Sequence, residues 1–296
     1  MRLIITGAGG FLGHELLQQA WKNELQVVAM SSSPDRLQCF FTGNEFLSVL
    51  GKDAIAKGEI RFNPEDVLIN CAFPRTDDAR LMADGLRYVQ ETLLQAKAHG
   101  AKKIINISSQ SVYDPERECA ADESSPLCLC SNYAVGKYAT ELFCNMLGQD
   151  TRCCSIRLAS LIGPGFNQRV INKMAFAALK NRSIHALDDH QQFGFLDVKD
   201  AARAIIKLAE VPGENWRKVY NLGSDQSYTL KQMAETIAGV LKEKWDIDID
   251  VTYGESDKKG SSSLDNTLLQ KEIGTYQTVS LQESACRIIA DLMNNC

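Results

Sequence analysis

The sequence lacks several features that would each indicate a particular class of protein. It has no basic run, and its 32 Lys and Arg against 37 Asp and Glu give a formal net charge of −5. This balance argues against a nucleic-acid or anionic-membrane surface. No apolar run reaches the roughly 20 residues of a membrane-spanning helix. The first predicted strand begins at residue 3, which leaves no room for a signal peptide. We therefore expect a cytoplasmic protein that binds neither nucleic acid nor membranes.

Paired Cys-x-x-Cys spacing is also missing, although the chain contains 10 cysteines. The nearest clusters, Cys128–Cys130 and Cys153–Cys154, do not have the spacing of a zinc site. Disulfides are typical of small secreted domains, whereas this chain has 296 residues and no export signal. We expect reduced, mostly buried thiols and no metal site. The polar cluster of His185, Asp188, Asp189 and His190 is predicted to be a solvated loop.

A glycine-rich turn follows the first apolar run. Leu3–Ile5 predicts a buried strand, and Thr6–Gly13 predicts a tight turn that opens a helix. Gly7 would permit the sharp turn, Gly10 would let the backbone approach a pyrophosphate, and Gly13 would let the helix pack closely on the strand. The free N–H groups and the positive dipole at a helix start favour phosphates. The segment therefore predicts a dinucleotide site.

Strands and helices alternate along the rest of the chain. The predicted strands are 26–30, 66–72, 103–107, 154–158, 219–222 and 247–253. The predicted helices are 14–21, 79–99, 132–147, 170–179, 197–209, 230–241 and 281–293. Segment 39–60 is predicted to be helical, and the polar stretch 255–263 to be a mobile surface loop. Continuous apolar strands that alternate with helices predict a parallel sheet covered on both faces.

A tyrosine and a lysine four residues apart share one face of a predicted helix, at Tyr133 and Lys137. A tyrosine titrates near pH 10, too high for proton transfer at neutral pH. A nearby ammonium favours the phenolate and lowers that pKa, which suits general acid–base chemistry. Ser109, beyond the strand 103–107, could stabilise charge on a substrate oxygen. By itself the pair could equally be an exposed Tyr–Lys pair without function.

Together these patterns resemble the extended branch of the short-chain dehydrogenase/reductase superfamily, the NAD-dependent epimerase/dehydratase family. The signature Thr6-Gly7-x-x-Gly10-x-x-Gly13 and the pair Tyr133-x-x-x-Lys137 match its hallmarks. Further matches follow in the family's order at 66–72, 108–113, 157–165, 195–202 and 219–223. The resemblance extends from residue 1 to about 245.

The resemblance implies an α/β fold with a doubly wound parallel sheet. A Rossmann-type NAD(P)-binding domain would cover 1–165, with 194–222 returning to it, and a smaller C-terminal α/β substrate domain would cover 166–296. Members of this kind usually form dimers through two long helices, here about 80–99 and 132–147. The chain is therefore expected to be a homodimer that binds a small-molecule substrate.

The resemblance also assigns roles to individual residues. Tyr133 would be the acid/base, Lys137 would hold the nicotinamide ribose and lower the tyrosine pKa, and Ser109 would be the catalytic serine. Ala72 and Phe73 would lie beside the adenosine ribose and the cofactor phosphates. The residues expected to bind the cofactor are Gly7, Gly10, Phe11, Leu12, Gly13, Ser31, Ser32, Arg36, Ala72, Phe73 and Lys137. Cys128 and Cys130, in a loop that borders the active site in the family, would either line the pocket or be buried structural residues.

One departure from the family pattern concerns the choice of cofactor. Ser31 stands where NAD-using members have an acidic residue that binds the ribose hydroxyls. Ser31, Ser32 and Arg36 offer hydroxyls and a cation where a 2′-phosphate would lie. We therefore predict NADP(H), with NAD as the alternative if this is an ordinary polar turn.

Other departures concern the substrate. Gln110 and Ser111 replace the Asp-Glu pair of sugar 4,6-dehydratases, which argues against dehydration. Ser160 and Phe193 replace an asparagine and an arginine of many nucleotide-sugar epimerases. Both changes weaken the case for a nucleotide diphosphate, although other cations could hold one: Arg157, Arg169 and Lys173.

The sequence thus favours an NAD(P)H-dependent oxidoreductase. The reaction would be hydride transfer between nicotinamide and a carbonyl or secondary alcohol, with a keto-sugar as substrate, which could be nucleotide-linked. Two alternatives remain: a sugar epimerase with a retained cofactor, and a cofactor-sensing regulator without chemistry. Relatives of the last kind typically lack the Tyr133–Lys137 pair.

Overall fold

The centre of the molecule is a seven-stranded sheet in a computed structural model that describes residues 1–76 and 78–295. The strands lie in the order β3-β2-β1-β4-β5-β6-β10, and every neighbouring pair is parallel. Their bounds are β1 Arg2–Thr6, β2 Gln26–Ser31, β3 Leu47–Gly51, β4 Val67–Asn70, β5 Lys103–Ile107, β6 Arg152–Leu158 and β10 Val219–Leu222. The predicted doubly wound parallel sheet is confirmed.

Helices cover both faces of this sheet because successive strand residues point to opposite sides. Leu3 and Ile5 of β1 belong to the buried cluster on one face, whereas Ile4 belongs to the cluster on the other. The first face carries α1 and α6, and the second carries α3 and α4. The helices here are α1 Phe11–Lys22, α2 Pro34–Phe40, α3 Ala79–Ala98, α4 Asn132–Asn145 and α6 Val198–Glu210.

The winding of the sheet reverses between β1 and β4, which are neighbours although two strands separate them in sequence. Ligands of open α/β sheets bind in the crevice at the carboxyl ends of the strands at such a point. Thr6 ends β1 there and Asn70 ends β4, and the Thr6 hydroxyl donates to the Asn70 side-chain oxygen at 2.7 Å. The fold therefore places its crevice beside the glycine turn.

A third buried cluster lies in the C-terminal half. It packs α5, α7 and α9 against a parallel pair of long strands, β8 and β11. The short strands β7 and β9 form a separate parallel pair. The elements are β7 Ser160–Ile162, α5 Val170–Asn181, β8 Ser183–Gln192, β9 Phe195–Asp197, α7 Leu230–Trp245, β11 Asp250–Ser261, α8 Thr267–Ile273 and α9 Leu281–Asn294.

A buried carboxylate ties this half to the sheet. Asp197 caps α6 by accepting from the Lys199 backbone N–H at 2.9 Å. Two residues of α9 also donate to it: the Ser284 hydroxyl at 2.6 Å and the Arg287 guanidinium at 3.0 Å. Because α6 also packs on α1, the helix that follows the glycine turn, α6 joins α9 to α1.

The helical prediction for 39–60 is wrong beyond residue 40, since Leu47–Gly51 is the edge strand β3 and turns precede and follow it. β3 pairs with β2 in register, with Val49 opposite Ala29. Of the apolar side chains that suggested a helix, Phe40 ends α2, Leu47 and Leu50 lie in β3, and Phe41 and Phe46 lie in the turn between these elements. The strand is only half-buried, so its sequence lacks the continuous apolar run of the central strands.

Two predicted loops are strands as well. The cluster from His185 to His190 lies in β8, and most of the stretch predicted as a mobile loop, 255–263, belongs to β11. The two strands pair over their whole length, with a register irregularity between Glu255 and Lys259. His185, Asp188 and His190 are exposed on this two-stranded sheet, whereas Asp189 is buried. A run of polar residues of this kind resembles a loop in the sequence. Within the described ranges, no His, Cys, Asp or Glu side chains group in threes to hold a metal.

The expectation of mostly buried thiols is also wrong. Of the nine described cysteines only Cys144 and Cys154 are buried, although all nine are free thiols. In the described parts of the chain, no helix combines the length and apolar character that crossing a bilayer requires.

Candidate active site

The turn after β1 has the geometry expected of the glycine signature. Gly7 adopts a left-handed φ of +65°, and a Cβ on it would lie 2.7 Å from the backbone nitrogen of Ala72. A Cβ on Gly13 would overlap the Gly7 carbonyl oxygen. Gly10 caps α1 without any side-chain hydrogen bond, so the N–H groups of the first turn of α1 point at open space. Larger residues would close this cradle, and the cradle fits a dinucleotide phosphate.

Two adjoining cavities meet at this turn, with volumes of about 1040 and 730 Å³. Gly7, Gly10 and Phe11 line both. The larger cavity continues to the residues after β2, Ser31, Ser32 and Arg36. The smaller one continues to Leu12, Gly13, Phe73, Ser109, Tyr133 and Lys137. The structure thus brings the predicted residues into one continuous crevice, except Ala72, whose backbone lies behind Gly7.

The α4 N-terminus fixes the tyrosine and the lysine. Ser131 caps the helix by accepting from the Ala134 backbone N–H at 3.1 Å, and Tyr133 and Lys137 follow within the first two turns. The Tyr133 ring meets the Phe73 ring edge to face, with centroids 5.6 Å apart. The N-terminal end of α4 is therefore held against the loop after β4.

Lys137 is buried in the cavity wall. Its ammonium donates to the Ile107 carbonyl at 2.7 Å and lies 4.3 Å from the centre of the Phe73 ring. Burial lowers the pKa of Lys137 to about 8, while the charges of Cys71 and Glu141 act in the opposite direction. At neutral pH the lysine thus remains a cation, held at an energetic cost.

The electrostatics around Tyr133 differ from the expectation. Burial raises the pKa of Tyr133, and three neighbours counteract it: the Ser109 hydroxyl and the charges of Arg75 and Arg169. Lys137 is not among these influences, and its nitrogen lies 5.9 Å from the centre of the tyrosine ring. Desolvation therefore outweighs every neighbouring cation, and the cations that act are arginines that the Tyr–Lys spacing did not indicate.

Ser109 starts a short 3₁₀ turn over 110–112 directly after β5. Its hydroxyl oxygen accepts from the Ser111 backbone N–H at 3.1 Å, and the two serine hydroxyls are also 3.1 Å apart. These contacts fix the side chain at the cavity wall where Tyr133 also lies. Ser109 is thus positioned to share an oxygen ligand with the tyrosine.

The larger cavity has mixed charge. Ser31 is buried, and its hydroxyl accepts from the Ser33 backbone N–H at 3.1 Å. Arg36 lines the same cavity. Glu15 and Asp291 bring carboxylates into this cavity, which the sequence pattern around residue 31 did not indicate.

Residues that replace family groups also line the smaller cavity. The Gln110 amide donates to the Ser160 hydroxyl at 3.1 Å and accepts from Arg117 at 3.0 Å. Phe193, in contrast, stacks on Phe195 with ring centroids 5.6 Å apart and packs against the C-terminal core. The smaller cavity therefore contains the neutral amide of Gln110. Phe193, which replaces the arginine of many epimerases, does not line it.

Of the cations proposed to hold a diphosphate, only Arg169 lines the cavity. Arg157 is buried and donates to both oxygens of Glu141, at 3.1 and 2.9 Å, and to the Tyr113 hydroxyl at 3.0 Å. Because its donors are engaged by these partners, its function is structural, and the proposed ligand role for it is wrong. Lys173 is exposed on α5 away from both cavities.

The remaining sequence candidates lie outside the crevice. Cys128 is half-buried and Cys130 exposed, with their sulfurs 2.9 Å apart, and neither lines the two cavities. Arg75 and Phe166 are among the lining residues that sequence reasoning missed. Arg75 comes shortly after the carboxyl end of β4, where ligands of such sheets bind, so this position was the available signal.

Comparison with known proteins agrees with this geometry. The model of the NAD-dependent epimerase/dehydratase family matches residues 3–223. A GDP-mannose 3,5-epimerase from Oryza sativa subsp. japonica is 24% identical over 96% of this chain and 79% of its own. A dTDP-4-dehydro-6-deoxyglucose reductase from Escherichia coli is 24% identical over 98% of this chain and 97% of its own.

A solved structure shares the whole fold. The UDP-glucuronic acid 4-epimerase from Bacillus cereus, in complex with UDP-glucuronic acid and NAD, superposes with a TM-score of 0.83. It is 19% identical, and the superposition covers 100% of both chains.

Proposed function

Because the chain belongs to the NAD-dependent epimerase/dehydratase family, a family of enzymes, we propose that it transfers hydride reversibly between a nicotinamide cofactor and a keto-sugar. The observation that supports this most directly is the shared cavity: Tyr133, Ser109 and Lys137 all line the crevice that starts at the glycine turn. The named relatives act on nucleotide-linked sugars, which supports a nucleotide-linked substrate.

The chain's own groups supply the proton chemistry in this proposal. When bound, the nicotinamide supplies or accepts the hydride. The Tyr133 phenol donates a proton to the carbonyl oxygen in the direction of reduction, and its raised pKa keeps it protonated at neutral pH. The Ser109 hydroxyl donates a hydrogen bond to the same oxygen and stabilises its developing charge. Lys137 binds the nicotinamide ribose.

We propose NADP(H) as the preferred cofactor, with Ser31, Ser32 and Arg36 at the 2′-phosphate. Calorimetric titration of cofactor-free protein with NADPH and NADH tests this. At least tenfold tighter binding of NADPH, about 1.4 kcal/mol, is expected. Tighter NADH binding contradicts the preference and leaves NAD as the cofactor.

Stoichiometry separates the reductase from the epimerase. A reductase consumes free NADPH in proportion to product, whereas an epimerase retains its cofactor and shows no net consumption. Epimerases are among the similar proteins, and they support the epimerase as the second candidate function. The assay is absorbance at 340 nm with nucleotide-linked keto-sugars, together with analysis of the sugar product.

The variant Tyr133→Phe tests whether chemistry occurs at this site. Loss of proton transfer should lower kcat by about 10² or more, with cofactor affinity unchanged because the ring remains packed on Phe73. Undiminished turnover would refute the role of Tyr133. A regulator without chemistry would keep its function in this variant.

We further propose that residues 1–165 together with 194–222 bind the cofactor and that 166–296 mainly bind substrate.

Apolar side chains are exposed on the two long helices predicted to pair two copies: Leu81, Leu94, Val135, Leu142 and Met146. They support a homodimer, and the mass in solution by light scattering tests it. The nine free thiols suit a reducing compartment, which supports the cytoplasm.

A further inference from the structure

Two arginines from opposite sides of the crevice lie against one aromatic ring. The Arg75 guanidinium carbon lies 5.6 Å from the centre of the Phe166 ring, and that of Arg169 lies 5.0 Å from it. Phe166 in turn stacks on Phe11, with ring centroids 4.5 Å apart. Arg75, Phe166 and Arg169 line the same cavity as Tyr133. We call Arg75 and Arg169 the arginine pair.

The pair has no acidic partner among residues 1–76 and 78–295. Neither arginine forms an ion pair there. The Nε of Arg169 is buried and has no hydrogen-bond partner in that part of the chain. By contrast, the buried Arg157 is fully paired with Glu141. Arg75 is exposed and Arg169 is half-buried, and both line the cavity instead of pairing with a carboxylate of the described chain. The arginine pair therefore offers two guanidinium groups to an anion bound in the cavity.

The two like charges also act on each other. Burial, followed by the charge of Arg75, lowers the pKa of Arg169. Both charges act on the Tyr133 phenol as well, where they lower its pKa against the effect of burial. The pair is therefore close to the atom that would exchange the substrate proton.

From this arrangement we propose that Arg75 and Arg169 bind a carboxylate carried by the sugar itself, so that the substrate is a keto-sugar acid. The inference rests on the proposed function, since it assigns the substrate class of that site. Planar guanidinium groups suit a carboxylate, which they can bind with two parallel hydrogen bonds.

The cofactor phosphates and the diphosphate of a nucleotide-linked substrate are the other sources of an anion in this crevice. The cofactor phosphates already have the free N–H groups of the α1 N-terminus, at Phe11, Leu12 and Gly13. Arg169, however, caps α5 outside the seven-stranded sheet and projects to the Tyr133 end of the crevice. Its position therefore favours an anion on the reacting half of the substrate.

Binding to the cofactor-loaded protein tests the proposal without need of turnover. The probes are the methyl glycosides of glucuronic acid and of glucose, which differ only in the carboxylate, and saturation-transfer NMR measures their affinities. We expect at least tenfold tighter binding of the acid. The variant Arg169→Gln should abolish this difference, whereas the matched control Arg182→Gln, exposed at the end of the same helix, should retain it.

Several outcomes overturn the proposal. Equal affinity for the two glycosides does so, as does absence of binding of the acid, or an unchanged preference in Arg169→Gln. If Arg75→Gln and Arg169→Gln instead weaken NADPH binding by tenfold or more and leave the glycosides unaffected, the anion is the cofactor phosphate. If they weaken binding of UDP or GDP by tenfold or more and leave the glycosides unaffected, the anion is the substrate diphosphate, which also overturns the proposal. Each variant removes one of two like charges, so the melting temperature of the ligand-free protein should rise. A lower melting temperature would instead reveal a misfolded variant, independently of ligand binding.

The proposed function fails in a different way. Absence of hydride transfer to keto-sugars, with the acid still bound more tightly, refutes the reaction but not the arginine pair. Hydride transfer that proceeds equally well with neutral and acidic keto-sugars refutes the arginine pair but not the reaction.

Discussion

Lys137 should make the stability of the cofactor-free protein rise with pH. Burial lowers its pKa to about 8 in the folded state, against a value of 10.5 for an unperturbed lysine. Between these two values the unfolded chain binds more protons than the folded one. Stability therefore increases as pH rises through about 8 and levels off above 10.5. For these two pKa values, linkage predicts a gain of about 1.3 kcal/mol between pH 7 and pH 9.

The variant Lys137→Met isolates this effect, since it keeps most of the side-chain volume and removes the titrating group. Urea unfolding of both proteins at pH 7 and pH 9, after removal of cofactor, gives four free energies. Other groups titrate alike in the two proteins and cancel in the difference. The wild type should gain about 1.3 kcal/mol relative to the variant. Parallel pH dependences would refute the reasoning, because they would mean that the buried ammonium is not penalised by its surroundings.

Four further substitutions test the structure and the site. Gly13→Ala should destabilise the protein by about 3 kcal/mol in urea unfolding, because its Cβ would overlap the Gly7 carbonyl. In the control Gly239→Ala the new Cβ has no atom within 4 Å, so this variant should be about 1 kcal/mol more stable. Arg157→Met should cost about 3 to 5 kcal/mol, since Glu141 would lose its buried partner, and a loss below about 1 kcal/mol would contradict this. Ser109→Ala should lower kcat by about 10² with cofactor affinity unchanged, and an equal loss of affinity in calorimetry would indicate a structural role instead.

The central strands could be predicted because they are buried on both faces. Residues such as Leu68 and Ile104 have no exposed side, so an unbroken apolar run identifies their strands. β3 and β8 lie at an edge or in a two-stranded sheet, and their polar positions resemble helix or loop. Whether such segments form strands depends on pairing partners that are far away in sequence, and no local pattern in the sequence indicates those partners.

The members of the candidate site followed from motifs, but their electrostatics did not. The spacing of Tyr133 and Lys137 predicted that both would face one cavity, and they do. It did not predict that burial would dominate the tyrosine or that Arg75 and Arg169 would be the cations acting on it. Those two arginines belong to loops that meet the helix only in the folded chain, so spacing along one helix could not indicate them.

The carboxylate of Asp197 has a consequence for the order of synthesis. Its partners Ser284 and Arg287 lie 87 and 90 residues further along the chain. When α6 leaves the ribosome, α9 has not yet been made, so the Asp197 carboxylate has neither donor and is left to water. The contact that joins α6 to α9 therefore forms only after α9 has been made. Nascent chains should remain open to chaperones and proteases until then, and they should acquire cofactor after translation rather than during it.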